Sequence, residues 1–221
     1  MAALIKIVQT ASITVSLLAS GSIATMSLFD IPEIKSQPAS RSLPMTRWLF
    51  SRGSHIIPPM AVFSAAGFSF LAFNALPQSR ALSAILTLGG NGLKANGYLL
   101  AALLNIAIAP WTQMVMVPTN FAIIKMNEEL GGTRSAESAN LRKGIKREQQ
   151  QSYSAEDSVN GKDQVDQFRD LSGPQTQTER DSTDEENKKA YQLLSKFEQL
   201  NYMRAALSAA GGILGLAIAL A

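Results

Sequence analysis

Charged residues are distributed very unevenly along the chain and leave four long stretches without any Asp, Glu, Lys or Arg. These stretches contain 23, 27, 30 and 17 residues and are residues 7–29, 53–79, 95–124 and 205–221. An apolar helix needs about 20 residues to cross the hydrocarbon core of a bilayer. The pattern therefore predicts an all-α fold, an integral membrane bundle of four helices.

Two uncharged stretches allow a different interpretation. Residues 7–29 follow Lys6, and their apolar stretch is followed by small side chains at positions 19–22 and 24, as in a secretory signal peptide. Their apolar part is longer than the core of roughly 7–15 residues typical of a cleaved signal, which favours a retained helix. Residues 81–93 are also uncharged, but they are too few to span a bilayer and include three glycines. We expect an interfacial helix or a bent connection there.

Residues 133–187 have the opposite composition. Only seven of these 55 residues have large apolar or tyrosyl side chains, too few to offset the entropy that an ordered chain loses. We therefore expect a long, largely disordered polar loop between helices 3 and 4. Apolar residues return at helical spacing from about Lys188, so the fourth helix should enter the membrane unbroken. The predicted segments are residues 1–132, with three membrane helices, the polar insert 133–187, and residues 188–221, with the fourth helix.

Small residues recur at every fourth position in the first and last predicted spans. They are Ser12, Ser16, Ser20 and Ala24, followed by Gly211, Gly215 and Ala219. Lipid provides no hydrophobic force between helices, so close packing of small residues is what allows them to associate. We expect these faces to hold the bundle together, and they are also candidates for contact between copies in a homo-oligomer.

Composition excludes several classes of site and partner. The chain has no Cys and one His, which excludes disulfides, thiolate nucleophiles and Cys-rich or multi-His metal centres, so no metal is expected. Residues 34–127 contain no carboxylate, which excludes paired-acid catalysis within that stretch. The net charge of +3 comes from scattered residues rather than a basic patch with aromatics, so nucleic acid is not an expected partner.

Lys and Arg near the span ends predict the orientation. Ten of these Lys and Arg residues lie beside the first loop and the long insert, and the other three lie on the opposite side of the membrane. The positive-inside rule therefore predicts that both large loops are cytosolic and that both termini are outside.

Polar residues gather in three clusters at or within the predicted spans. The clusters are Trp48 to Gly53 with His55, Pro58 and Pro59; Asn105 with Pro110 to Gln113 and Pro118 to Asn120; and Leu200, Asn201, Arg204 and Ala205. Polar groups are costly in lipid, so such clusters indicate function. His55 is the only side chain there that titrates near neutrality, which makes it a candidate general base.

A purely structural interpretation is also open for each cluster. Pro58 and Pro59 can begin a helix. Pro110 should kink the third helix and free a backbone carbonyl, which Thr112 or Gln113 could bond. Asn105 and Asn120 are more simply explained by bonds between helices. An interfacial structural role for His55 is as compatible with its position as a catalytic one.

The spacing of these clusters resembles the fungal anthrone oxygenase family, also called noranthrone monooxygenases. The matching patterns are W-x3-R-G-x4-P from Trp48, P-W-T-x5-P-T-N from Pro110 and L-N-x2-R-A from Leu200. The resemblance covers about residues 1–130 and 190–221, and Phe197 stands where a tryptophan is expected. It implies a small four-helix membrane protein of fungal secondary metabolism that oxidises a polyketide anthrone to an anthraquinone, using dioxygen without flavin or metal.

The resemblance also implies roles for single residues. His55 would take the methylene proton or polarise a phenol, and the substrate would be bound by Arg52, Asn105, Trp111, Thr112, Gln113, Thr119, Asn120 and Arg204. Among these, Trp111 would stack on the rings, the amides and hydroxyls would bond oxygens, and an arginine would stabilise negative charge. The expected partners are a flat aromatic polyketide and the lipid bilayer, in an intracellular membrane such as the endoplasmic reticulum.

Two non-enzymatic functions remain open. One is a small membrane scaffold whose long loop recruits partners, in which case deleting residues 133–187 would disable a scaffold and spare an enzyme. The other is a transporter, which is weaker because the sequence shows neither a repeat nor an acidic ion site near the membrane centre.

Overall fold

The computed structural model describes residues 1–76, 91–144 and 154–221. Within these ranges every regular element is helical. The α-helices are α1 (Ala2–Thr25), α2 (Ile31–Lys35), α3 (Ala39–Asn74), α4 (Asn91–Ile106), α5 (Ile108–Trp111), α6 (Val117–Glu129), α7 (Ala136–Lys143), α8 (Ala155–Val159) and α9 (Asp184–Leu220). Two π-helical turns, Met26–Asp30 and Thr112–Met116, join α1 to α2 and α5 to α6.

Four helical stretches in the described ranges are long and apolar enough to cross a membrane. They are Ala2–Lys35, Ala39–Asn74, Gly92–Glu129 and Asp184–Leu220. The predicted all-α membrane fold with four spans is therefore confirmed. The fourth helix is unbroken, as predicted, and begins at Asp184. Most of the connection predicted at residues 81–93 lies outside the described residues.

Prolines account for the interruptions of the first and third spans. Proline lacks an N–H, and its ring clashes with the carbonyl four residues earlier. Ile106, at the end of α4, lies four residues before Pro110. Pro32 and Pro118 each lie four residues after a residue of a π-helical turn. A π-helical turn contains one residue more than the α-helical turn that it replaces. Pro110, which was predicted to kink the third helix, lies just after the break between α4 and α5.

Contacts divide the described chain into two compact units. Unit 1 is formed by Met1–Thr25, Ile56–Gln113 and Asn201–Ala221, and it therefore contains part of every span. Unit 2 is formed by Met26–His55 and Met114–Leu200, which include the polar insert. The prediction of a large first loop is wrong, because residues 39–52 already belong to α3 and only residues 36–38 separate α3 from α2. Pro58 and Pro59 therefore lie within α3 and do not begin it.

The core of unit 1 combines side chains of all four spans. Phe68, Tyr98 and Ile218 are buried together, and Val8 packs against them. The Ser16 hydroxyl lies 2.8 Å from Asn105 Oδ1 and 2.9 Å from a backbone carbonyl of α9. These contacts link the first, third and fourth spans.

The small residues of α9 face larger groups at close range. An added Cβ would clash with Asn105 at Gly211, with Leu17 at Gly212 and with Phe68 at Gly215. Ser20 likewise donates to the carbonyl of Ala205 at 2.8 Å. The predicted role of small residues in helix packing is therefore confirmed.

Buried polar side chains organise the described part of the insert in unit 2. Arg142 of α7 pairs with Glu128 of α6 at 2.6 Å, and both side chains are almost completely buried. The N–H and hydroxyl of Thr133 donate to Gln175 Oε1 at 2.7 and 2.9 Å. The loop predicted between helices 3 and 4 is present, and within its described part, residues 133–144 and 154–187, these buried bonds join segments that the apolar pattern does not connect. Residues 145–153 lie outside the described ranges.

Candidate functional site

The nine residues that the resemblance implicates are divided between the two units. Unit 2 contains Arg52, His55, Thr119 and Asn120. Unit 1 contains the other five, which are Asn105, Trp111, Thr112, Gln113 and Arg204.

His55 lies on α3 and stacks on an aromatic ring of the insert. Its ring centroid is 4.5 Å from that of Phe168, with 25° between the ring planes. His55 Nε2 is buried and has no hydrogen-bond partner among the described residues. Buried polar atoms are normally paired with protein or water. This nitrogen is therefore available to form a hydrogen bond with a bound molecule.

Trp48 and Arg52 act as a pair on the two turns of α3 that precede His55. Residues four apart share one face of a helix, and both side chains donate to the same backbone carbonyl. Trp48 Nε1 lies 2.9 Å from the oxygen of Ser172, and Arg52 Nη2 lies 3.1 Å from it. The guanidinium also lies over the Trp48 ring, 5.4 Å from its centroid. The W-x3-R spacing therefore fixes the insert against α3.

Asp170 holds Ser172 in position for these bonds. Its carboxylate accepts from the Ser172 N–H at 2.9 Å and from the hydroxyl at 2.6 Å. Burial opposes ionisation of Asp170, but the hydrogen bonds from Ser135 and Ser172 and the charge of Arg52 outweigh it, so the pKa of Asp170 lies below its ordinary value. The loop therefore carries a stable negative charge beside the Arg52 cation.

Thr119 and Asn120 lie at the start of α6, directly after Pro118. Thr119 is 3% exposed. Thr119 Oγ1 and Asn120 Oδ1 are both buried, and neither has a hydrogen-bond partner within the described ranges. Like His55 Nε2, they can bond polar atoms of a bound molecule.

Asn105 of unit 1 is largely used in packing. It is fully buried. Its Oδ1 accepts from Ser16, and its Nδ2 donates to the carbonyl of Ala101 at 2.9 Å. These bonds favour the structural interpretation that the sequence left open.

The other four residues of unit 1 differ in their surroundings. Arg204 Nη1 donates to Asn201 Oδ1 at 2.9 Å, one turn away on α9, whereas its Nε is buried without a partner in the described chain. Thr112 Oγ1 is also buried and unpaired in that part of the chain, so it does not bond the carbonyl that Pro110 frees. Trp111 is half-buried and Gln113 is exposed.

Two residues of the insert escaped sequence reasoning. Ser172 contributes a backbone carbonyl, which every residue possesses, so no side-chain signal could have indicated it. Phe168 gave a weak signal, because it is one of few large apolar residues in the insert.

Unit 2 also has a pocket of about 260 Å³, which sequence reasoning did not anticipate. Its lining residues are Asp30, Glu33, Ile34, Met45, Trp48, Leu49 and Pro174. None of the nine implicated residues lines it, and it is smaller than most pockets for small molecules.

Comparison with known proteins identifies the family. The model of the anthrone oxygenase family matches residues 47–214, about three quarters of the chain. The chain belongs to the anthrone oxygenase family. All nine implicated residues lie within the matched range, and the predicted family is confirmed.

One curated relative in this family is the anthrone oxygenase tpcL of Aspergillus fumigatus. It is 32% identical to the chain over 120 residues, which make up 53% of this chain and 66% of the relative. The match therefore spans just under two thirds of the relative's length. No solved structure matches the chain.

Proposed function

We propose that this protein is a membrane-bound oxygenase that converts a polyketide anthrone to an anthraquinone with dioxygen and without a protein-bound cofactor. Membership of the anthrone oxygenase family and the name of the relative support this class of reaction. The observation that carries the proposal is the set of buried, unpaired polar atoms on His55, Thr119 and Asn120. All three residues lie within the family match, and all belong to unit 2.

The proposed reaction begins with loss of a proton from the methylene between the two aromatic rings. The resulting carbanion passes one electron to dioxygen, and the two radicals combine to form a carbon–oxygen bond. Protonation gives a hydroperoxide. Loss of water then breaks the oxygen–oxygen bond and removes the second methylene hydrogen, leaving a carbonyl. One oxygen atom enters the product, the other leaves as water, and the substrate supplies the electrons.

In this mechanism His55 Nε2 accepts the methylene proton. The Thr119 hydroxyl donates to the oxygen on which negative charge develops, and Asn120 Oδ1 accepts from a phenol. The Arg52 guanidinium adds positive charge on the same unit.

Replacing His55 by Gln tests the proposal. The full chain is reconstituted in liposomes, and the formation of anthraquinone from a dihydroxyanthrone is followed by absorbance, with the rate in empty liposomes subtracted. Loss of a general base lowers a rate by roughly 10²- to 10⁴-fold. Ser54→Ala is the matched control, because the neighbouring Ser54 is exposed and bonds a carbonyl of its own helix. Equal rates for His55→Gln and the unchanged chain would remove His55 as the base.

The structure changes how the scaffold alternative can be tested. Deleting residues 133–187 would remove Ser172 and Phe168, which contact Trp48, Arg52 and His55. The deletion would therefore disturb an enzyme as well as a scaffold. Point substitutions such as His55→Gln separate the two functions better.

A further inference from the structure

The loop formed by residues 166–172, called here the 166–172 loop, exposes two large apolar side chains. Phe168 is 75% exposed and Leu171 is 90% exposed. A single exposed apolar residue is common on protein surfaces. Two such side chains three residues apart in an otherwise polar insert indicate a surface that contacts something apolar.

Hydrogen bonds hold the 166–172 loop in this conformation. The N–H of Asp170 donates to the carbonyl of Asp166 at 2.9 Å, and the N–H of Phe168 donates to Asp166 Oδ1 at 2.8 Å. At the other end, the Ser172 carbonyl accepts from Trp48 and Arg52. The backbone is thus fixed at both ends, while Leu171 is almost fully exposed and Phe168 is exposed except where it contacts His55.

The contact between Phe168 and His55 gives the depth of the loop relative to the membrane. Arg52 is the last charged residue before the uncharged residues 53–79. His55 lies three residues further along α3, which is about 4.5 Å at the rise of an α-helix. Phe168 stacks on His55, so it lies within about one helical turn of the level at which α3 enters the bilayer.

We propose that the 166–172 loop inserts Phe168 and Leu171 into the boundary between lipid headgroups and acyl chains. Apolar side chains flanked by a cation are typical of segments that lie in this boundary. Arg169, between the two apolar residues, is exposed and can reach lipid phosphates while its stem stays in the apolar layer. The insert is thus a contact surface for the bilayer, whether or not the chain is an oxygenase.

Spin labelling at single cysteines tests this proposal, and the natural chain has no cysteine to remove. Leu171→Cys carries the label in the loop, and Thr176→Cys carries it at an exposed polar residue of the same insert. The full-length labelled chains are reconstituted in lipid nanodiscs. Collision of the label with dissolved oxygen, which concentrates in lipid, is compared with collision with a water-soluble nickel chelate.

We expect the ratio of oxygen to nickel collisions to be several-fold higher at position 171 than at position 176. Equal ratios, with free access of nickel to both labels, would overturn the proposal. Exclusion of both reagents from position 171 would also overturn it, because protein rather than lipid would then cover the loop. Dipolar coupling between labels on different chains would identify a second copy as that cover. Phe168→Cys provides a second label in the same loop and should give the same result as Leu171→Cys.

Discussion

At the scale of single residues, Gly211 determines how closely three spans approach one another. A Cβ at this position would lie 3.1 Å from the carbonyl oxygen of Ala101 and closer still to the amide of Asn105. That amide is fixed by the Ser16 hydroxyl of α1. The missing side chain at Gly211 therefore allows contacts that join α1, α4 and α9.

Replacing Gly211 by Ala should destabilise the fold by about 1–3 kcal/mol, because the added methyl group overpacks this contact. Gly21→Ala is the matched control, since a Cβ on that helical residue meets no atom within 4 Å. The control should be neutral or stabilising by up to about 1 kcal/mol, the difference in helix propensity. Chemical unfolding of both variants in the same detergent measures the difference. Equal unfolding midpoints would show that the spans can separate slightly without cost.

The sequence predicts single residues well where their own side chains form the contact. The four-residue spacing of Trp48 and Arg52 places them on one face of α3, and both use that face. Their common acceptor was not predictable, because it is a backbone carbonyl about 120 residues away. The bonds of Asn105, in contrast, were predictable, because a buried amide on a span must find hydrogen-bond partners. It finds them in Ser16 and Ala101.

At the scale of elements, hydrophobic pattern and proline positions account for most of the helices. Uncharged stretches of membrane length predicted the four spans, and Pro110 predicted where α4 ends. The π-helical turns were not predicted, because the pattern of apolar residues does not show how a helix absorbs the carbonyl that a proline displaces. The hydrogen bonds within the described part of the insert were also not predicted, because they depend on buried polar pairs.

The pair between Glu128 and Arg142 joins α6 to α7 and should be the strongest of these bonds. Glu128→Gln would remove the carboxylate charge that pairs with the buried Arg142, and loss of one member of a buried pair costs about 3–5 kcal/mol. Unfolding by denaturant and proteolysis of the insert, both in detergent, would report the loss. We expect faster cleavage within residues 133–187.

Lys125→Gln is the control for the pair, because it breaks an ion pair on the same helix. Lys125 and Glu129 lie 3.9 Å apart with side chains 69% and 50% exposed, and such a pair contributes less than about 0.5 kcal/mol. Similar effects of the two substitutions would contradict the assigned role of the buried pair.

At the scale of the whole molecule, the distribution of carboxylates follows from the membrane. Residues 34–127 lack acids because the second and third spans and the cationic first part of α3 lie there. The later acids belong to the insert and its flanking helices, where Glu128 and Asp170 form bonds. The division into two units was not predictable, since each unit combines segments that are distant in the sequence. A scan of local composition can only propose continuous segments.

The same asymmetry of charge predicts the orientation of the chain, and a chain without cysteine allows a direct test. Thr176→Cys marks the insert, and Leu93→Cys marks the opposite side of the third span, beside Lys94. In sealed microsomes a membrane-impermeant maleimide should label position 176 at once and position 93 only after detergent is added. This follows because ten of the thirteen cations near span ends lie on the side of the insert, and cations are retained in the cytosol. The reverse order of labelling would place the insert, and with it Phe168 and Ser172, on the lumenal side.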